Sequence, residues 1–124
     1  MSFKEHECYS RREIHEKIGG GIQDYLPHAN GRVVCGAFRT DTNPKAPEEI
    51  LAGNGSNIIK YGRILCEQGG SIPVFIKRAS NCWEYRGEYS VARWTEDNAV
   101  IAEKSEESGR NNITKVIYLR KVQK

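Results

Sequence analysis

The sequence has no apolar run near the roughly 18 residues that a membrane-spanning helix needs. Its opening residues, Met1-Ser2-Phe3-Lys4-Glu5-His6-Glu7, hold no apolar stretch of the kind a secretory signal requires. A soluble, cytoplasmic protein is expected. Cysteine is sparse and scattered: Cys8, Cys35, Cys66 and Cys82 form no C-x-x-C pair, which argues against a disulfide framework or a zinc ribbon. The thiols are expected to be reduced. The nearest approach to a metal-ligand cluster is His6-Glu7-Cys8, with Cys35, Cys66, Cys82, His15 and His28 as remote partners, and no metal is expected.

Catalytic spacings are missing as well. There is no G-x-S-x-G elbow, no G-x-x-x-x-G-K-[ST] loop, no H-E-x-x-H, and no paired acid with a following lysine of the kind metal-dependent nucleases use. Gly53-Asn54-Gly55 resembles the opening of a nucleotide loop, yet no clear strand precedes it. Neither an internal repeat nor a low-complexity segment is visible. The chain is therefore expected not to be an enzyme and to carry no cofactor.

What is present suits one globular domain. The 124 residues are 38% hydrophobic and 28% charged, enough of each for a core and a solvated surface. The net charge of +3 is too small to establish a nucleic-acid partner. Its distribution is more telling: Glu96, Asp97, Glu103, Glu106 and Glu107 crowd one segment, and Arg110, Lys115, Arg120, Lys121 and Lys124 the next. Such runs are commonly solvated faces.

Ser10 and Glu13 have capping-box spacing, with Ile14 and Ile18 on one face of the helix that follows and Gly19-Gly20-Gly21 to stop it. Three glycines in a row serve either as a plain cap and turn or as a place of close approach. The polar loop 22–31 leads into a strand over Arg32–Arg39, whose alternation sets Val33, Cys35 and Ala37 on one face. Thr40 to Gly55 reads as loop with a short helical turn near Glu48–Leu51. Ile58, Tyr61, Ile64, Leu65 and Gln68 mark a second helix, closed by Gly69-Gly70. Ser71–Arg78 and Cys82–Trp94 read as an antiparallel pair turning near Asn81, with Trp83, Tyr85, Gly87, Tyr89 and Val91 in one parity. A weak helix over Asn98–Ser108 and a last strand over Ile113–Val122 complete an α+β domain spanning 1–124. Its sheet is expected to be curved and mainly antiparallel or mixed, with two main helices.

Binding chemistry is better represented than catalytic chemistry. Arg32 and Arg39 bracket one strand, Lys77-Arg78 end another, and Arg86 and Arg93 alternate with aromatic residues in a third. Cations beside flat rings suit phosphate and base contacts. The plainer alternative makes the aromatics core and the arginines solvent-facing. Ile72-Pro73 at a strand entrance beside these cations offers a small apolar pocket next to positive charge.

Several motifs together resemble the sulfur-binding domain, which recognises phosphorothioate-modified DNA in modification-dependent (type IV) restriction endonucleases. They are Ser10-Arg11-Arg12-Glu13-Ile14-His15, Gly19-Gly20 with Gln23, Leu26-Pro27-His28, Gly31-Arg32-Val33-Val34, Asn43-Pro44 with Ala46-Pro47, Ile72-Pro73-Val74-Phe75-Ile76-Lys77-Arg78, and Trp83-Glu84-Tyr85 with Gly87, Tyr89 and Val91. The likeness spans about residues 9–94, with Val116 to Leu119 fitting a final strand.

This resemblance implies a module that binds phosphorothioate-bearing double-stranded DNA. Sulfur in place of a non-bridging oxygen is larger, softer and a poor hydrogen-bond acceptor, so an apolar cavity favours it where an oxygen would be left unsatisfied. Ile72, Pro73 and Ile76 are the candidates for that cavity. His28 would contact DNA and Gln23 a base edge, with Tyr25 and Asn30 in the same loop, while Arg32, Arg39, Lys77, Arg78, Arg86 and Arg93 compete for phosphates. Family proteins usually carry an H-N-H nuclease domain, which is not legible here, so cleavage would need another domain or a partner nuclease. Ala29 stands where a basic residue is expected, and Ile72 where an aromatic is. Two rivals remain open: a modified-base reader that flips the base into a cage of Trp83, Tyr85 or Tyr89, and a small hydrolase or nuclease using His15, His28 and Asp24.

Overall fold

The computed structural model describes residues 3–122. Met1, Ser2 and Lys124, which entered the reading of the chain ends, lie outside the described residues. The elements run β1 (Cys8–Tyr9), α1 (Arg11–Ile18), β2 (His28–Ala29), β3 (Arg32–Val33), β4 (Gly36–Phe38), β5 (Glu49–Ala52), α2 (Ser56–Gln68), β6 (Ser71–Ala79), β7 (Cys82–Thr95), α3 (Asn98–Ser108) and β8 (Lys115–Lys121).

Local chemistry accounts for the helix ends. The Ser10 hydroxyl accepts from the Glu13 N–H, and the Glu13 carboxylate accepts from the Ser10 N–H, so two donors with no partner inside the helix are satisfied. Gly20 has φ +81°, and a Cβ there would lie 2.8 Å from the Pro27 Cβ and 2.9 Å from the Val34 side chain. The glycine run thus lets the returning chain pack against the end of α1. Asp97 caps α3, which Gly109 ends in the left-handed conformation.

The main sheet has the order β4-β6-β7-β8-β5, with β1 paired on β7. Its β4–β6 pair is parallel and its other pairs are antiparallel. It curls into a mixed half-barrel, which makes the chain a single α+β domain. The main core, with Leu26, Phe38, Ile72, Val74, Ile76 and Ile117, fills the concave side under α2. Ile14, Phe75, Trp83 and Tyr85 form a second core with α1, and Leu51, Ile113 and Val116 a third beneath α3.

Four sequence expectations are corrected. The strand over Arg32–Arg39 is two pieces, because the Val34 N–H donates to the Pro27 carbonyl (2.8 Å) instead of continuing one ladder. Val33 accordingly joins the main core while Cys35 and Ala37 join the second. The helical turn near Glu48–Leu51 is strand β5: Glu49–Ala52 are all buried and pair with β8, so long-range packing overrides local preference. In β7 the alternation of burial holds, but Trp83 and Tyr85 bury on the α1 side and Tyr89 on the α2 side. A register shift opposite Val74/Phe75, next to Gly87 (φ +111°), changes the face. Finally, Cys8 and Cys82 are joined as a disulfide, because β1 pairs with β7 and brings their Cα atoms to 4.8 Å, leaving Cys35 and Cys66 as free thiols.

Two stability measurements test this account. Ser10→Ala removes the cap of α1 and is expected to cost about 1 kcal/mol in a denaturant titration. Lys104 sits 3.0 Å from Glu49, both nearly buried, and that carboxylate holds the ammonium pKa above its ordinary value. Lys104→Ala leaves Glu49 without this partner and is expected to cost about 3 kcal/mol in the same titration.

Candidate functional site

Two guanidinium groups hold the walls of a cleft that runs along the loop between α1 and β2. Arg11 opens α1 and donates to the carbonyls of Gly21 (3.1 Å) and Asp24 (2.8 Å), so the helix N-terminus grips the loop that follows its own C-terminus. Arg110, just after α3, donates to the carbonyls of Thr42 and Leu51, both at 2.9 Å, and to Asn112 at 3.2 Å. Burial draws the pKa of both guanidiniums below the usual arginine value. Neither makes an ion pair with a carboxylate among the described residues. The Arg11 Nε is buried without a hydrogen-bond partner among the described residues.

The cleft consists of three adjoining hollows. The first, about 310 Å³, is floored by Leu26, Leu51 and Ile58 and walled by His28, Tyr61 and Arg110. His28 and Tyr61 stack with ring centroids 3.4 Å apart and planes 9° from parallel. The Tyr25 hydroxyl donates to the Ile58 carbonyl (3.1 Å), and burial raises its pKa well above the usual value. The second hollow, about 290 Å³, shares Gln23, Asp24, Tyr25, Thr42 and Asn43 with the first. It contains Arg11 and Lys77, whose charged ends lie 5.0 and 5.9 Å from the Trp83 ring centroid. The third, about 210 Å³, continues past Arg39 and Lys77 to Arg78.

Of the candidates read from the sequence, Gln23, Tyr25, His28, Arg39, Lys77 and Arg78 therefore share one cleft. Two of its cations are partly neutralised: Arg39 pairs with Asp41 (2.7 Å), and Arg78 with Glu84 (2.6 Å). The Asp41 partner raises the Arg39 pKa. His6 and then Arg78 hold the Glu84 carboxyl below its usual range. Asn30 and Arg32 lie outside. Asn30 (φ +54°) and Gly31 (φ +77°) make the two-residue turn between β2 and β3, and Arg32 is exposed on that hairpin. Arg86 lies beside the β7 register shift, and Arg93 packs 4.0 Å over the Tyr118 ring, beside a different groove between α2 and β7.

Ile72 and Ile76 pack in the main core and line none of the three hollows. Pro73 lies opposite Glu88 in the β6–β7 ladder and lines none of the three hollows. Tyr85 and Tyr89 likewise line none of the hollows, so of the proposed aromatic cage Trp83 alone reaches the cleft. The hydrolase trio is divided. Asp24 and His28 line the first hollow, whereas His15 is bonded to the Gly20 carbonyl (2.6 Å). No three His, Cys, Asp or Glu side chains gather as metal ligands, and no helix is long and apolar enough to cross a membrane, among the described residues.

Tyr61, Asn57, Thr42, Asn43, Arg11 and Arg110 were not singled out as site residues. Some signal exists in the sequence: Arg11 and Asn43 fall inside motifs that resemble the sulfur-binding domain, and Arg110 opens the basic segment. Tyr61 was legible only as part of a helical face.

A family model described as a domain of unknown function (DUF6697) matches residues 8–114. Among curated proteins nothing matches. Among solved structures the chain is similar, at 14% identity and a TM-score of 0.47, to the type IV phosphorothioation-dependent restriction endonuclease ScoMcrA. The match covers 100% of this chain and 29% of that one, so the chain spans less than a third of the other protein's length.

Burial raises the pKa of Tyr25 and moves that of Tyr85 to about 12. The folded state thus favours both phenols protonated. Their contribution to stability is whole below the unfolded value of about 10 and is lost as pH rises through about 12 for Tyr85 and higher for Tyr25. An absorbance titration should show these late steps, and Tyr25→Phe should remove one of them.

Proposed function

We propose for this chain, which belongs to the DUF6697 family of domains of unknown function, the role of a non-catalytic module that binds duplex DNA and recognises a phosphorothioate in its backbone. The observation that carries this role is the hollow over Trp83, where three cations, Arg11, Arg39 and Lys77, outnumber the one carboxylate, Asp24, and adjoin an aromatic ring and the apolar side chains of Ala37 and Ile22. A phosphorothioate is an anion with one large, soft atom. The cations meet its charge, and the sulfur gains contact with the ring and aliphatic groups without needing a hydrogen bond. Against the ring and aliphatic surface an oxygen would leave water without gaining a hydrogen bond, a cost that favours sulfur there.

The motifs that resemble the sulfur-binding domain support the same role, since Gln23, Leu26, His28 and Lys77-Arg78 all border this cleft. The sulfur contacts are thereby assigned to Trp83, Ala37 and Ile22 in place of Ile72, Pro73 and Ile76. Arg39, Lys77 and Arg78 then follow the backbone along the third hollow. Cleavage, where it accompanies binding, is supplied by a nuclease domain or partner, and the chain by itself turns over no DNA.

The test is a titration of matched duplexes, with and without one stereodefined phosphorothioate, at one stated salt concentration. The sulfur duplex is expected to bind about 100-fold more tightly, or about 2.7 kcal/mol. Lys77→Ala is expected to weaken both duplexes and lower the salt slope by about 1. Equal affinity for the two duplexes removes sulfur recognition. A preference that survives Trp83→Leu but vanishes in Pro73→Ala returns the pocket to β6.

A further inference from the structure

The first hollow is larger than the modified phosphate requires. A single sulfur atom occupies a small fraction of about 310 Å³, a volume at the lower end of sites that enclose whole small ligands. Its lining is also unlike that of a phosphate site. His28 and Tyr61 form a flat stacked pair, Leu26, Leu51 and Ile58 make an apolar floor, and Gln23, Asp24 and Asn57 bring amide and carboxylate groups to the walls. Flat walls, an apolar floor and a few hydrogen-bonding groups are what a heteroaromatic ring with polar edges needs.

We infer that this hollow takes one unstacked nucleobase from the strand whose modified phosphate lies over Trp83. The inference rests on the DNA-binding role proposed above and adds a second determinant to it. The two hollows share the walls formed by Gln23, Asp24, Tyr25, Thr42 and Asn43. A phosphate in one and a base in the other can therefore belong to neighbouring positions of a single strand. The base meets the His28–Tyr61 pair, and its edge meets Gln23, Asn57 and the Asp24 carboxylate, which accepts from an amino or ring N–H donor. Arg110 holds the rim by binding the Thr42 and Leu51 carbonyls, so the opening is set before DNA arrives.

A base that leaves the duplex must first lose its pairing, and that cost falls when its partner strand offers no match. Affinity is therefore measured for three phosphorothioate duplexes, identical except at the nucleotide beside the modification: fully paired, mismatched, and lacking the base. The mismatched duplex is expected to bind about tenfold more tightly than the paired one. The abasic duplex is expected to lose that gain. Tyr61→Leu and Asn57→Trp, the second placed at an exposed position so that folding is kept, should each abolish the difference between paired and mismatched DNA while retaining sulfur preference.

Equal binding of paired and mismatched duplexes, with sulfur preference intact, overturns the base site and leaves the phosphate site standing. Failure to bind any duplex overturns both. Titration with free nucleoside monophosphates separates the remaining source of the same chemistry: binding there without any mismatch effect makes the hollow a small-molecule site and overturns the inference.

Discussion

At Gly87 the fourteen-residue strand β7 changes the side of the sheet on which it buries its large side chains. Before this point Trp83 and Tyr85 pack with Ile14 of α1; after it Tyr89 packs in the core covered by α2. With φ +111°, this residue holds a backbone conformation that strains any side-chain-bearing residue, whatever the space around it. Because β1, β6 and β8 all pair with β7, the shift sets the curl that separates two cores and gives each helix its own face.

The cleft follows from that separation. The chain must pass from the α1 side to the α2 side, and residues 19–27 make the passage around the β4 end of the sheet, where the Ala37 N–H donates to the Tyr25 carbonyl (2.8 Å). A loop in this position exposes carbonyls that no strand covers, and Arg11 covers two of them, at Gly21 and Asp24, while Arg110 binds the Thr42 and Leu51 carbonyls across the cleft. These arginines thus do two things at once. They satisfy main-chain acceptors along the cleft, and they bring positive charge into a partly buried groove, where the Asp24 carboxylate offsets part of the Arg11 charge and the remainder acts on a passing anion more strongly than at an open surface. Arg39 and Arg78, exposed and paired with Asp41 and Glu84, contribute a weaker, salt-sensitive field.

Features written in adjacent residues were legible beforehand. Ser10 with Glu13, Gly69 after Gln68, and the turn at Asn81 each act within a few positions, and the helices and long strands came out close to their expected bounds. Features that depend on distant residues were not. Glu49–Ala52 is a strand only because β8 lies beside it, and Cys8 meets Cys82 across 74 positions. The face change at Gly87 has no local mark beyond the glycine itself. The cleft was half legible. The cations and the loop from Gln23 to His28 could be named, but Tyr61 and Arg110 come from α2 and the segment after α3, and Ile72 and Ile76 proved to belong to the core.

The disulfide bears on the cleft through Trp83. Tyr9 pairs with Trp83 in the β1–β7 ladder, and Cys8 is bonded to Cys82 beside it, so β1 fixes the strand whose ring lies near Arg11 and Lys77. Arg11 follows Tyr9 by two positions, on the first turn of the helix that Ser10 caps. One short segment therefore orders both the aromatic wall and the cation near it. A ligand that needs both together gains from this arrangement, because neither wall has to be ordered at the moment of binding.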